Sequence, residues 1–203
     1  MKQILVVDNH PLMLKFMSGQ LEKRGCRVET ASDGLAALKI LESFKPDAAF
    51  IDLIMPNISG DKLCQIIRNR PEHAGCFIAV LSAIVAEEGA SFEQCGADIF
   101  IAKSPFDQLA RDVGHIMKHL EQGLESQLKG KVIGCENMFE REITRELLAS
   151  KKHYETTLNH MSDGLVELVN NANVVFVNPA ALDILQKPEE ELLSFDFVAL
   201  LQQ

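Results

Sequence analysis

Short apolar runs alternate with helical spacings of apolar residues over the first half of the chain. The runs cover residues 4–7, 27–30, 47–51, 76–81 and 98–102. Most are rich in Val, Ile, Ala and Phe, which is typical of strands buried on both faces of a parallel sheet. Between them, apolar residues recur every three or four positions, as in amphipathic helices, and one such helix is predicted over residues 84–93. Five strands alternating with five helices predict a doubly wound α/β domain with a five-stranded parallel sheet.

Polar side chains follow four of the predicted strands. Asp8 and Asn9 follow the first strand, Asp52 the third, Ser82 the fourth and Lys103 the fifth. Because doubly wound sheets bind ligands at the carboxyl ends of their strands, the loops after the first, third and fourth strands are expected to converge at one edge. Lys103 joins them if the strand order is flavodoxin-like. Carboxylates and carbonyl groups are the ligands that a hard cation such as Mg²⁺ requires. A nucleophilic aspartate, a cation and fixed donors are also what phosphoryl transfer requires.

Four motifs in this order resemble the receiver domain of two-component signalling. They are Val6-Val7-Asp8-Asn9, Asp52-Leu53-Ile54-Met55-Pro56 with Gly60 after it, Leu81-Ser82-Ala83, and Lys103 followed by Ser104-Pro105-Phe106. Any one motif would be weak, whereas all four at the expected strand ends are specific. The resemblance covers about residues 1–122 and implies a flavodoxin-like fold.

The resemblance also implies a role for each matching residue. Asp52 stands where the family is phosphorylated, and Asp8 stands at its first acidic position. Ser82 and Lys103 match the residues that hydrogen-bond and pair with the phosphoryl group. Phe100 matches an aromatic residue that rotates between outward and inward positions. The ligands implied for Mg²⁺ are Asp8, Asn9, Asp52 and the backbone carbonyl of Ile54.

Two positions depart from the family's pattern. Asn9 occupies the place of a metal-binding aspartate, and an amide supplies an oxygen without a charge, so weaker Mg²⁺ binding is expected. Ser104 separates Lys103 from Pro105, whereas the family usually joins its lysine and proline directly by a bond that is commonly cis. With Pro105 and Asp107 behind it, Ser104 is expected to cap the next helix.

Residues 123–157 are predicted to form a helical linker. The apolar spacing of the last receiver helix continues with a shift through Leu124 and Leu128, and Gly130 and Gly134 then interrupt it. A second helix follows with an apolar seam made of Ile143, Leu147, Ser150, Tyr154, Thr157 and Met161. The seam is shorter than the run of heptads that identifies a coiled coil. The seam therefore allows two interpretations. The linker helices could form a homodimer, or the helix could be amphipathic and pack on its own subunit.

The last residues, 158–203, resemble the opening of a PAS sensor domain. The matching segments are Met161-Ser162-Asp163-Gly164, Val177-Asn178-Pro179-Ala180 and Pro188-Glu189-Glu190-Glu191-Leu192. Two strand-like runs separated by Asn-Asn-Ala predict a hairpin, and Asn178 with Pro179 predicts a helix start. A sheet that lacks its last strands would expose an edge, so the chain is expected to be part of a longer protein, with a partial α+β PAS segment. No PAS ligand is assigned.

Composition limits the partners and the location. The formal net charge of −9 opposes binding to a phosphate backbone, so no nucleic-acid partner is expected. No apolar run is long enough for a bilayer, so no membrane partner is expected, and the location is predicted to be cytoplasmic. The five cysteines show no CxxC spacing and are interpreted as reduced thiols, several of them in the core.

The histidines suggest no further chemistry. His115 and His119 have a spacing that could hold a metal, but a solvated helix face is the preferred interpretation. His153 and His160 lie on the linker, where a histidine kinase carries its phospho-accepting histidine, but their surroundings do not resemble that family's motif.

The predicted function is that of a phospho-accepting module of a phosphorelay. A histidine kinase or phosphotransfer protein would phosphorylate Asp52 with Mg²⁺, and the linker would pass the output to the PAS region. One alternative is a receiver-like dimerisation scaffold that is not phosphorylated. Another is the regulatory fragment of a larger hybrid sensor kinase. The chain itself is not expected to be an enzyme, although a catalytic domain could lie beyond residue 203.

Overall fold

The computed structural model of the chain describes residues 1–82, 95–134, 150, 153–169 and 172–193. The chain divides into two compact units, Met1–Glu140 and Arg141–Gln203, and each is considered by itself. None of the helices in the described ranges combines the length and apolar character that a membrane span requires.

The first unit is built on a parallel sheet in the strand order β2-β1-β3-β4-β5-β6. Its strands are β1 (Gln3–Val7), β2 (Arg27–Ala31), β3 (Ala48–Asp52), β4 (Phe77–Ser82), β5 (Ile99–Ala102) and β6 (Lys131–Ile133). Its described helices are α1 (Pro11–Glu22), α2 (Gly34–Leu41), α3 (Gly60–Asn69) and α4 (Phe106–Gln122). The doubly wound, flavodoxin-like prediction is confirmed, while the helix predicted over residues 84–93 lies outside the described residues.

The core explains why these segments form these elements. Every residue of β3, β4 and β5 is buried, as the continuous apolar runs predict for a sheet covered on both faces. One face packs against Met17 and Leu21 of α1 and against Val113 and Ile116 of α4. On the other side α2 contacts β1 and β2, and α3 contacts β3. The helices therefore hold the carboxyl ends of the strands in fixed positions.

The sheet has one strand more than the five predicted. β6 pairs in parallel with β5, so that Phe100 lies opposite Val132. The expectation that helix continues through Leu124 and Leu128 is wrong, because α4 ends at Gly123, which adopts a φ of 68°. Leu128 instead lies in the core at 1% exposure, which directs the chain back toward the sheet edge. Part of the segment predicted as helical linker is therefore a strand.

The second unit contains a helical stretch over residues 153–159 and an antiparallel hairpin. The hairpin pairs β7 (Val166–Val169) with β8 (Asn173–Val177), and it is followed by α5 (Pro179–Leu185) and α6 (Glu189–Leu192). Asn178 caps α5 as predicted, because its Oδ1 accepts the backbone N–H of Ala181 at 3.0 Å. Its Nδ2 donates to the carbonyls of Leu158 at 3.2 Å and Asp163 at 2.9 Å, so this buried amide connects the helical stretch to the hairpin.

Candidate functional site

The carboxyl edge of the sheet gathers the polar residues that the sequence singles out. Asp8 directly follows β1, Asp52 ends β3, Ser82 ends β4 and Lys103 directly follows β5. These four strands are consecutive neighbours in the sheet, and the backbone N–H of Lys103 donates to the carbonyl of Ser82 at 2.8 Å. Asp8, Asp52 and Ser82 are all buried.

One ammonium group joins two buried carboxylates at this edge. The Nζ of Lys103 lies 2.8 Å from Oδ2 of Asp8 and 2.9 Å from Oδ2 of Asp52. Asp8 is fully buried and Asp52 is 5% exposed, so water screens neither charge effectively. Two negative charges that share one positive charge leave the cluster with an excess of negative charge when both carboxyls are ionised.

Backbone donors orient both carboxylates. The N–H of His10 donates to Oδ1 of Asp8 at 2.8 Å, and the N–H of Ile54 donates more weakly to Oδ1 of Asp52 at 3.4 Å. Burial raises the pKa of Asp52, Lys103 partly opposes that effect, and the neighbouring Asp8 raises the pKa further. The Asp52 carboxylate therefore has fewer stabilising partners than its burial demands, so an additional cation would stabilise it.

The loop after β3 explains why a glycine follows Asp52 at its particular spacing. A Cβ on Gly60 would lie 2.0 Å from the carbonyl oxygen of Asp52, so no larger residue fits there. The N–H of Gly60 donates to the carbonyl of Leu53 at 3.1 Å, which closes the loop against the end of β3. Because residue 60 is a glycine, the start of α3 can pack directly against the backbone of Asp52.

The oxygen donors at this edge fit Mg²⁺ in chemistry. Asp8, Asp52, the exposed Asn9 side chain and the carbonyl of Ile54 offer only oxygen ligands, which a hard cation prefers. Within the ranges that the structure describes, no group of three or more His, Cys, Asp or Glu side chains could hold a metal ion. The candidate set contains two carboxylates, so the amide and the backbone carbonyl would have to complete it. The excess negative charge of the cluster is the feature that favours a cation.

The remaining predicted residues lie close to this edge. Phe100 is 1% exposed within β5, which is the inward of the two positions expected of a switch aromatic. The prediction that Ser104 caps α4 is wrong, because the helix begins one residue later and Pro105 occupies the capping position without a side-chain bond. The peptide bond between Ser104 and Pro105 is trans. The Oγ of Ser104 is buried and has no hydrogen-bond partner among the described residues.

Sequence reasoning missed an apolar patch beside the site, formed by Leu12, Phe16 and Phe106. The rings of Phe16 and Phe106 stack with their centroids 4.5 Å apart. Leu12 is 62% exposed and Phe106 is 48% exposed, although both are large apolar side chains. The patch lies at the starts of α1 and α4, which follow Asp8 and Lys103 in the chain. The signal was present in the sequence, since Leu12 and Phe106 flank the motifs, but spacing alone could not show that they face solvent.

Comparisons with known families agree with both sequence resemblances. The model described as "Response regulator receiver domain" matches residues 4–113, and a PAS domain model matches residues 152–202. The predicted resemblances to a receiver domain and to a PAS domain are therefore confirmed.

Two individual proteins illustrate the sequence similarity. Transcription factor SKN7 of Saccharomyces cerevisiae is 31% identical over 103 residues, which are 51% of this chain and 16% of that protein. Response regulator MprA of Mycobacterium avium is 24% identical over 197 residues, which are 96% of this chain and 81% of that protein. The chain thus matches only a small part of the yeast factor.

Solved structures show the same fold. The chemotaxis response regulator CheY4 of Vibrio cholerae is 24% identical with a TM-score of 0.53, and the match covers 57% of this chain and 98% of that one. A two-component response regulator from Clostridium difficile is 25% identical with a TM-score of 0.50, and the match covers 59% of this chain and 98% of that one.

Proposed function

Because the chain belongs to the response regulator receiver family of two-component signalling, we propose that Asp52 is its phospho-accepting residue and that Mg²⁺ assists the transfer. The donor is the phosphohistidine of a histidine kinase or of a phosphotransfer protein, the partners with which receiver domains interact. The chain then acts as a signalling module rather than as an enzyme. Its PAS segment is the region that receives the output through the intervening linker.

One observation carries this proposal, which is the position of Lys103 between Asp8 and Asp52. A partly buried ammonium that contacts two carboxylates at 2.8 and 2.9 Å can follow a change of charge on either of them. Phosphorylation of Asp52 replaces a single charge with a phosphoryl group of about −1.5 to −2, which draws Lys103 away from Asp8. The same lysine directly follows β5, so its movement acts on that strand.

The transfer itself is a displacement at phosphorus. An Asp52 carboxylate oxygen attacks the phosphorus of the phosphohistidine, the phosphorus–nitrogen bond breaks, and its electron pair stays on the imidazole of the donor. Mg²⁺ held by Asp8, Asn9, Asp52 and the carbonyl of Ile54 would neutralise the phosphoryl oxygens. Lys103 pairs with the charge that develops, and the hydroxyl of Ser82 at the end of β4 donates to the phosphoryl group of the product.

The apolar patch of Leu12, Phe16 and Phe106 supports a protein as the phosphodonor. An exposed apolar surface beside a reactive site favours a docked macromolecule over a small ion, because docking removes that surface from water. The other partner expectations, a homodimer through the linker helices and the absence of a nucleic-acid partner, stay predictions.

Phosphorylation by acetyl phosphate tests the proposal. On Phos-tag gels we expect a shifted band that requires both acetyl phosphate and Mg²⁺ and disappears with EDTA. Asp52→Ala should abolish the band, while Asp107→Ala, at a carboxylate whose side chain is 74% exposed, should leave it unchanged. Equal labelling of the Asp52→Ala variant and the parent chain would overturn the assignment of Asp52.

The alternative of a scaffold that is not phosphorylated makes a different prediction. In that case Asn9 would abolish metal binding, and backbone NMR shifts of residues near Asp8 and Asp52 would not move when Mg²⁺ is added. Shifts that saturate at millimolar Mg²⁺ or below would favour the phosphorelay function instead.

A further inference from the structure

Two cysteines that lie far apart in the sequence meet inside the first unit. Cys64 is fully buried on α3, and Cys95, 7% exposed, precedes the turn that enters β5. The thiol of Cys64 donates a hydrogen bond to the sulfur of Cys95. The backbones are close as well, because a Cβ built on Gly96 would lie 3.8 Å from the carbonyl oxygen of Cys64.

We infer that Cys64 and Cys95 form a reversible disulfide when the protein meets hydrogen peroxide or an organic hydroperoxide. A disulfide needs two sulfurs that can approach to bonding distance without a large backbone movement. The hydrogen bond between the two thiols and the close approach of Gly96 to the carbonyl of Cys64 bring the two cysteines together. The side chain of Arg68 fixes the approach, since its Nε donates to the carbonyl of Gly96 at 2.8 Å.

The two thiols differ in a way that assigns a role to each. The hydrogen bond from Cys64 lowers the pKa of the Cys95 thiol, although burial opposes that effect. Burial and the same hydrogen bond raise the pKa of Cys64 well above its ordinary value. Because the thiolate is the nucleophile toward peroxides, Cys95 is the residue that reacts first.

The chemistry balances with the peroxide as oxidant. The thiolate of Cys95 attacks one peroxide oxygen and the oxygen–oxygen bond breaks. The products are a sulfenic acid and a hydroxide ion, or an alkoxide ion when an organic hydroperoxide reacts, and this ion takes up the proton that Cys95 released. The sulfur of Cys64 then attacks the sulfenic sulfur, and the displaced hydroxyl leaves with the Cys64 proton as water. Two thiols and one hydrogen peroxide thus give one disulfide and two waters, and an organic hydroperoxide gives one disulfide, one alcohol and one water.

Cys76 provides a matched internal comparison. It is buried to a similar degree, at 3% exposure, but its sulfur donates to the carbonyl of Phe77 at 3.8 Å rather than to a thiol. Burial raises the pKa of Cys76 to about 12, so it remains a protonated thiol. Burial alone therefore does not make a cysteine in this unit reactive.

The bond would connect α3, whose start borders the candidate site, to the turn that enters β5. α3 begins at Gly60, which packs against the carbonyl of Asp52, and Cys95 lies shortly before β5, which leads into Lys103. A covalent link between Cys64 and Cys95 restrains the movement of these elements relative to one another. The link itself does not depend on phosphorylation of Asp52.

The test is mass spectrometry of the full chain after mild peroxide treatment in native buffer. Free thiols are alkylated without reductant, and digestion with trypsin and Glu-C separates Cys76 from Cys95 by cleavage after Glu93. We expect one cross-linked species that joins the Cys64 and Cys95 peptides and that dithiothreitol reverses. Cys64→Ser and Cys95→Ser should each lose it, while Cys76→Ser should keep it.

Trapping of the intermediate distinguishes the two roles. With dimedone present, Cys64→Ser should accumulate a sulfenic acid adduct on Cys95, and Cys95→Ser should give no adduct on Cys64. Circular dichroism checks that each serine variant folds, and Cys64→Ala and Cys95→Ala replace any that does not. The inference would be overturned if the folded parent chain formed no Cys64–Cys95 cross-link. It would also be overturned if cross-links that include Cys76 formed in equal yield.

Discussion

The two ends of the same sheet carry buried ion pairs of very different character. At the amino ends of β4 and β5, the guanidinium of Arg68 contacts the carboxylate of Asp98 and donates to three backbone carbonyls, those of Gly96, Ala74 and Cys76. Asp98 also accepts the N–H of Ile78 at 2.8 Å and lies 3.2 Å from Nζ of Lys129. Each guanidinium nitrogen of Arg68 and each carboxylate oxygen of Asp98 therefore has at least one partner.

The carboxyl end of the sheet shows the opposite situation. Lys103 is shared by Asp8 and Asp52, and within the described residues each carboxylate gains one backbone N–H besides it. Both clusters consist of buried carboxylates and a cation, so burial and charge alone do not distinguish them. The degree of saturation, meaning the extent to which the charged groups already have hydrogen-bond and ionic partners, does distinguish them. A saturated cluster holds strands together, whereas an unsaturated one can still bind a further ion or react.

Removal of Arg68 should have the largest effect on stability. Arg68→Met should lower the free energy of unfolding by about 2 to 4 kcal/mol, since it leaves a buried carboxylate and backbone carbonyls without their donor. Urea denaturation measures the loss, and Mg²⁺ should not restore it because the described residues at this end form no cluster that could hold a metal ion. Arg111→Met is the control, since the side chain of Arg111 is 69% exposed and pairs with the exposed Asp107. A loss no larger than that of the control would contradict a structural role for Arg68.

Removal of Lys103 should have a smaller effect that depends on the metal. Lys103→Met should cost about 1 to 3 kcal/mol in EDTA, because Asp8 and Asp52 then face each other without a cation. Added Mg²⁺ should recover a large part of this loss, since the same oxygens then bind the ion. Paired urea titrations with EDTA and with Mg²⁺ measure the recovery. If Mg²⁺ stabilises Arg68→Met as much as Lys103→Met, the two clusters do not differ in their capacity to bind a further cation.

Restoring a charge at position 9 should strengthen metal binding. Asn9→Asp adds a carboxylate beside Asp8 and should increase Mg²⁺ affinity about tenfold, since ligand charge strongly sets the affinity of such sites. Isothermal titration or NMR titration with Mg²⁺ measures the change. Asn69→Asp, at the far end of α3, adds the same charge away from the site and should leave the affinity unchanged. An unchanged affinity in Asn9→Asp would exclude residue 9 as a ligand.

Much of the fold and of the site could be predicted from the sequence for a physical reason. Strands β1, β3, β4 and β5 are buried on both faces, so their apolar runs are continuous and easily recognised. The site residues follow directly after these runs, and parallel strands necessarily bring their carboxyl ends to one edge. The convergence of Asp8, Asp52 and Ser82 therefore followed from strand boundaries, whereas that of Lys103 also required the flavodoxin-like strand order.

Features that depend on packing could not be predicted in this way. β6 is a three-residue strand that carries little pattern, and only its pairing with β5 defines it. Ser104 had the sequence of a helix cap, but α4 starts one residue later. Cys64 and Cys95 lie on different elements, so the sequence could not show that their sulfurs meet. In each case the decisive contact joins residues that are distant in the sequence or depends on backbone geometry.

The smallest expected effect concerns the charge of Asp52 itself. Burial raises the pKa of Asp52 in the folded protein, so the folded state holds this proton more tightly than the unfolded chain does. The protonated carboxyl of Asp52 therefore contributes stability to the folded state. This contribution is complete below the pKa that Asp52 has in the unfolded chain, and it is lost as the pH rises through the pKa that Asp52 has in the folded protein.

Asp52→Asn removes this titration and should make the protein more stable than the parent at neutral pH, by about 1 kcal/mol or less. Thermal melts in EDTA from acid to neutral pH measure the difference, which should grow with pH through that window. Asp107→Asn changes an exposed carboxylate, and its stability should vary with pH in the same way as that of the parent. A stability difference for Asp52→Asn that shrinks as the pH rises would mean that Lys103 already satisfies the carboxylate, and the carboxyl end of the sheet would then be as saturated as the end that Arg68 holds.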